Sequence, residues 1–164
     1  MNAMSDYEWW KGGRTTLLKA AETGDVDAVT AALDDGIDPN TSIAGGVTAL
    51  MFAAWSGRLA ALRALLAKGA DVNAQSDAGR TALMYAATAG YRDIVQALLD
   101  EGADVEVQNN NGWTALLDAS SEGNRDVVKV LQRAAGSAAT FVKQSTSSDR
   151  SEHEAWMQKL SGTW

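Results

Sequence analysis

Apolar residues along residues 81 to 105 fall into two blocks of helical period. Leu83, Ala86 and Ala87 lie three and four apart, and Ile94, Val95, Leu98 and Leu99 repeat that spacing. Each block predicts a short helix with one apolar face. Thr81 stands where its hydroxyl can accept from the N–H groups of the first turn. Gly90 supplies the positive φ that ends the first helix, and Gly102 ends the second. The polar stretch "ADVEVQNNNGW" contains Asn111-Gly112, a strong tight-turn signal. The predicted unit is therefore helix, turn, helix and projecting hairpin loop.

That unit recurs. Gly24, Gly57, Gly90 and Gly123 are 33 residues apart, as are Gly13, Gly46, Gly79 and Gly112. Thr15, Thr48, Thr81 and Thr114 keep the same interval, as do Leu17, Leu50, Leu83 and Leu116, and Ala20, Ala53, Ala86 and Ala119. One copy is too short to bury its own apolar faces, so copies must stack side by side as a solenoid. The small alanines allow neighbouring helices to approach closely.

The stretch "GRTALMYAATAGYRDIVQALLDEGADVEVQ" resembles an ankyrin repeat, and the resemblance covers roughly residues 13 to 134. It implies an all-α ankyrin-repeat solenoid of stacked helix-turn-helix units with projecting hairpin loops. The repeats are placed at 13–45, 46–78, 79–111 and 112–136, behind an N-terminal cap of residues 1–12. Residues 137–164 form a C-terminal linker and a short tail helix. The chain departs from the family's Thr-Pro-Leu-His motif: Leu18, Met51, Met84 and Leu117 occupy the histidine position. The hydrogen bonds of that histidine are expected to be missing, with apolar packing in their place.

Solenoid ends need polar caps. The second helix of the first repeat carries Asp25, Asp27, Asp34 and Asp35, suited to a solvated face. In "YEWW", Trp9 or Trp10 is expected to cover the first repeat, and Phe141 and Val142 to cap the last. "SEHEAWMQKL" places Trp156, Met157 and Leu160 on one face of a short helix. That helix packs nearby, docks on a partner, or folds over this chain's own or another copy's groove.

Charge and chemistry narrow the function. The formal charge of −7 leaves no basic patch to displace counterions from phosphates, so neither nucleic acid nor an anionic membrane is expected as a partner. There is no cysteine and a single histidine, His153, in a polar tail that cannot preorganise a catalytic site. Metal binding lacks ligands, no cofactor is expected, and the chain reads as a non-enzyme. "DDGIDPN" looks like a calcium loop, yet Asp38 and Asn40 align with Asp71 and Asn73 and belong to the repeat. Asn40-Thr41-Ser42 matches a glycosylation sequon and is treated as coincidence without a secretory signal. The first residues lack a basic segment followed by an apolar run, and no run is long enough to span a bilayer. A cytoplasmic location follows as the expectation.

What remains is a surface. The resemblance implies binding of a protein or peptide through hairpin tips and the exposed side of each first helix, as an adaptor, inhibitor or chaperone. The columns that vary between copies give the candidates. After the hairpin glycine stand Arg14, Val47, Arg80 and Trp113; after the histidine position stand Lys19, Phe52, Tyr85 and Asp118. Before the helix-ending glycine stand Glu22-Thr23, Trp55-Ser56, Thr88-Ala89 and Ser121-Glu122, and Asn110 lies at a tip. Tryptophan, tyrosine and arginine are enriched among binding hot spots. A groove centred on repeats two to four is expected, anchored by Trp55, Arg80, Tyr85 and Trp113, with Val47, Thr88, Asn110, Asp118 and Glu122 beside them. The alternative is self-assembly, a homo-oligomer formed through the tail.

Overall fold

The computed structural model describes the backbone of residues 16–142 and the side chains of residues 16–136. Among the described residues there are eight helices: α1 (16–23), α2 (Val26–Asp34), α3 (Ala49–Trp55), α4 (Leu59–Ala67), α5 (Ala82–Ala89), α6 (Arg92–Asp100), α7 (Ala115–Ser121) and α8 (Arg125–Val142). Among the described residues there is no strand beyond the single bridge between Ser42 and Thr48. The first helices stack as one layer, α3 on α5 on α7, and the second helices as another, α2 on α4 on α6 on α8. This is the solenoid that the periodicity predicted.

Threonine caps start the inner helices as expected. The hydroxyl oxygens of Thr48, Thr81 and Thr114 accept from the N–H groups of Met51, Met84 and Leu117 at 3.4, 3.3 and 3.4 Å. Met51 and Met84 are buried, so apolar packing does replace the histidine there. In the second repeat the replacement keeps a weak polar contact, because the Thr48 N–H reaches the Met51 Sδ at 3.5 Å.

Between the layers lies one continuous core. Leu50, Leu62, Leu65, Leu83, Ile94, Val95, Leu98 and Leu131 are buried, as are Ala53, Ala54, Ala86 and Ala87, whose small side chains let α3 and α5 stack. Fully burying a leucine stabilises by about 1.5–3 kcal/mol. The first repeat contributes less: α2 fully buries only Val29, while Asp25, Asp27, Asp34 and Asp35 stay exposed. Asp25 also caps α2, accepting from the Ala28 N–H at 3.0 Å.

Three sets of contacts register one repeat on the next. The Asn40 Oδ1 accepts from the Asp71 N–H at 2.6 Å, and the Asn73 Oδ1 accepts from the Asp104 N–H at 2.8 Å. Asn40 of the calcium-like stretch is thus an inter-repeat tie, and Asp38 holds it by accepting from its N–H at 2.8 Å. At the hairpin tips, the Asp77 N–H donates to the Gly45 carbonyl at 2.8 Å and the Asn110 N–H to the Ala78 carbonyl at 3.0 Å. The third set follows the helix-ending glycine. Gly90 is left-handed at φ +82, and a Cβ there would meet the Asn124 Oδ1 at 2.8 Å. The Asn124 amide donates to the Ala87 and Thr88 carbonyls at 2.8 and 3.0 Å.

Two details differ from the sequence expectation. The Gly112 N–H donates to the Asn109 carbonyl, so Asn110-Asn111 is the central pair of that turn and Gly112 follows it. The Asn-Gly signal located the turn but was displaced by one residue. In addition, α8 continues past Gly136 to Val142, because glycine costs a helix only about 1 kcal/mol. No helix among the described residues is long and apolar enough to cross a membrane.

Candidate functional site

The inner helices and hairpins of the second and third repeats form an open cleft of about 270 Å³. Val47, Met51, Phe52, Trp55, Arg80 and Tyr85 line it. The repeat explains the grouping. Val47 and Arg80 are equivalent positions on successive hairpins, and Phe52 and Tyr85 are equivalent positions on α3 and α5. Trp55 ends α3, where an inward side chain has no core to enter, and remains 49% exposed. Its ring meets the Tyr85 ring edge-on, with centroids 6.2 Å apart. Such a pair adds about 0.5–1.5 kcal/mol beyond the area it covers and holds the wall in shape.

Arg80 forms the other wall, and its position is over-determined. The guanidinium carbon lies 4.7 Å from the Tyr85 ring centroid, a cation–π contact. Its Nη2 donates to the Thr88 Oγ1 at 2.6 Å and to the Asp118 Oδ2 at 3.2 Å. Thr88 passes the bond on, its hydroxyl donating to the Met84 carbonyl at 2.9 Å. The Arg80 Nε is buried and finds no acceptor among the described residues.

Asp118 is itself buried on α7. Burial pushes its carboxyl above the ordinary carboxylate range; the Arg80 guanidinium pulls the other way without reversing this, and Glu122 adds to the rise. A raised folded-state value means that the ionised carboxylate opposes folding, and that this handicap fades as pH falls through the raised value towards the unfolded one. Wild type is therefore expected to gain stability relative to Asp118→Asn on acidification from about pH 7 to about pH 4. Urea midpoints of both proteins across that range check this. A difference that stays flat would mean that the carboxylate is not desolvated.

The structure thus brings Val47, Trp55, Arg80 and Tyr85 into one cleft, with Thr88 and Asp118 holding Arg80. Met51 and Phe52 complete the lining; Phe52 shares the column of Tyr85, and Met51 holds the histidine-equivalent position just before it. Glu122 is exposed and close enough to Asp118 to act on its charge. One anchor, Trp113, and one flanking residue, Asn110, are placed differently from the expected groove. Trp113 is 42% exposed but does not line the cleft, because it stands one repeat beyond Arg80. The Asn110 amide is engaged by the neighbouring tip, donating to the Asp77 carbonyl at 2.8 Å. Arg14, Trp9, Trp10, His153 and the tail positions Trp156, Met157 and Leu160 lie outside the described residues. The side chains of Phe141 and Val142 do so as well.

Sequence reasoning missed the column after each helix-ending glycine. Arg58 donates from its Nε to the Glu22 carbonyl at 3.1 Å, and Tyr91 packs where a Cβ on Gly57 would fall. With Asn124, these residues seat each repeat on the one before. Their shared position one residue past a periodic glycine was the available signal.

A family model described as ankyrin repeats in three copies matches residues 2–76 and 71–140. No curated protein matches the chain at a significant level.

Proposed function

Because the chain belongs to the ankyrin-repeat family, whose repeats are generally protein–protein interaction modules, we propose that it is a non-catalytic binder that takes a protein or peptide partner in the Trp55–Tyr85–Arg80 cleft. The observation that carries this reading is the half-exposed Trp55 ring, fixed against Tyr85 at the mouth of a preformed apolar cleft. Tryptophan buries a large area with few rotors, and a rigid wall lowers the ordering cost of binding. Arg80, locked by three side chains, offers a flat, rigid guanidinium face at the opposite wall. The reading covers adaptor, inhibitor and chaperone roles alike, since each begins with capture of a partner.

The test is a pull-down from source-cell lysate with wild type, Trp55→Ala and Trp113→Ala. Trp55→Ala should remain folded by circular dichroism, since half of the side chain is already in water. It should lose its partner, with an affinity loss of about 30-fold or more for a hot-spot tryptophan. Trp113→Ala should bind more nearly as wild type does. Equal retention by wild type and folded Trp55→Ala would move the site away from the cleft.

A further inference from the structure

The charges around the cleft define the chemistry of its occupant, given the cleft-binding reading above. On the inner face Lys19 and Glu22 pair at 3.1 Å, and Arg80 and Asp118 pair at 3.2 Å, so both pairs cancel. Arg58 is turned to the first repeat, with its Nε on the Glu22 carbonyl. Among the described residues of the inner face two exposed carboxylates without an ion-pair partner remain, one on each flank. Asp77 lies against Gly46, where a Cβ would come within 2.7 Å of its Oδ1, and Gly46 directly precedes the cleft residue Val47. Glu122 stands exposed on the fourth-repeat side, near Asp118. The walls between these flanks are apolar and aromatic, apart from a guanidinium already held by Asp118 and Thr88.

We propose that the cleft binds a linear basic peptide segment: one large apolar or aromatic side chain enters between Phe52, Trp55 and Tyr85, while lysines or arginines on either side of it meet Asp77 and Glu122. A volume of about 270 Å³ has room for one such side chain. The flanking carboxylates are exposed, so they select and steer more than they bind, and their effect is screened by salt. The cleft lining carries no carboxylate and Asp118 behind it is already paired with Arg80, so the basic residues of the partner find their counter-charges outside the cleft. The net charge of −7 acts in the same direction over longer range.

The experiment is selection of a random dodecapeptide display library on the immobilised full chain, with full-chain Trp55→Ala as the subtractive control. Enriched peptides are then measured by fluorescence anisotropy against wild type and the Asp77→Lys/Glu122→Lys double variant. The expected result is a family of peptides with one aromatic or large aliphatic residue flanked by Lys or Arg. They should bind the double variant about tenfold more weakly at low salt. Peptides without a basic excess, or with affinity unchanged by charge reversal, would overturn the proposal. So would a selection that enriches nothing over Trp55→Ala. In any of these outcomes a lysate partner still lost by Trp55→Ala would leave the cleft-binding reading standing, with a different occupant chemistry.

Discussion

Leu83→Ala should lower the free energy of unfolding by about 2–5 kcal/mol, a large share of the 5–15 kcal/mol that is typical of a domain. Leu83 is buried on α5, which packs between α3 and α7. In a repeat array, stability is approximately a sum of repeat and interface contributions. A void at this position weakens the third repeat and both of its interfaces together. The equivalent Leu116 lies on α7 at the far side of the stack and is slightly more exposed. Leu116→Ala should therefore cost less than Leu83→Ala. Urea unfolding followed by far-ultraviolet circular dichroism measures both. A loss below about 1 kcal/mol at Leu83 would mean that the site can collapse around the missing atoms.

Gly90→Ala should cost about 3 kcal/mol, and Gly123→Ala about 1–2 kcal/mol. The two glycines are the same position in successive repeats, at φ +82 and +73, so both alanines carry the left-handed penalty. Only Gly90 has a repeat seated on it. A Cβ there would displace the Asn124 amide and break its bonds to the Ala87 and Thr88 carbonyls. Among the described residues, no atom lies within 4 Å of a Cβ on Gly123. The difference between the two variants thus isolates the stacking contribution from the backbone contribution. Equal destabilisation in urea would mean that Asn124 moves aside at no cost. The comparison also separates two reasons for a periodic glycine that the sequence cannot tell apart.

The sequence by itself determined the repeat, its helix-turn-helix content and, to within one residue at Asn111-Gly112, the turn positions. Those features are local: a threonine caps the helix that begins beside it, and a glycine ends the turn it occupies. Period alone forces stacking, since a single copy cannot bury Ile94, Val95, Leu98 and Leu83 by itself. It also placed Val47, Trp55, Arg80 and Tyr85 on the variable face, because columns that differ between copies are those the scaffold does not need. Only the tertiary structure decided which of these side chains meet. Arg80 could have faced solvent; the Tyr85 ring, Thr88 and an aspartate 38 residues away hold it in the wall. Trp113 and Asn110 matched the pattern equally well. Yet Trp113 stands one repeat beyond the cleft, and the Asn110 amide is engaged by the preceding tip. A repeat fixes where each residue sits within its own unit. Contacts between units depend on how neighbouring side chains share space and hydrogen bonds, and one-dimensional spacing does not encode that.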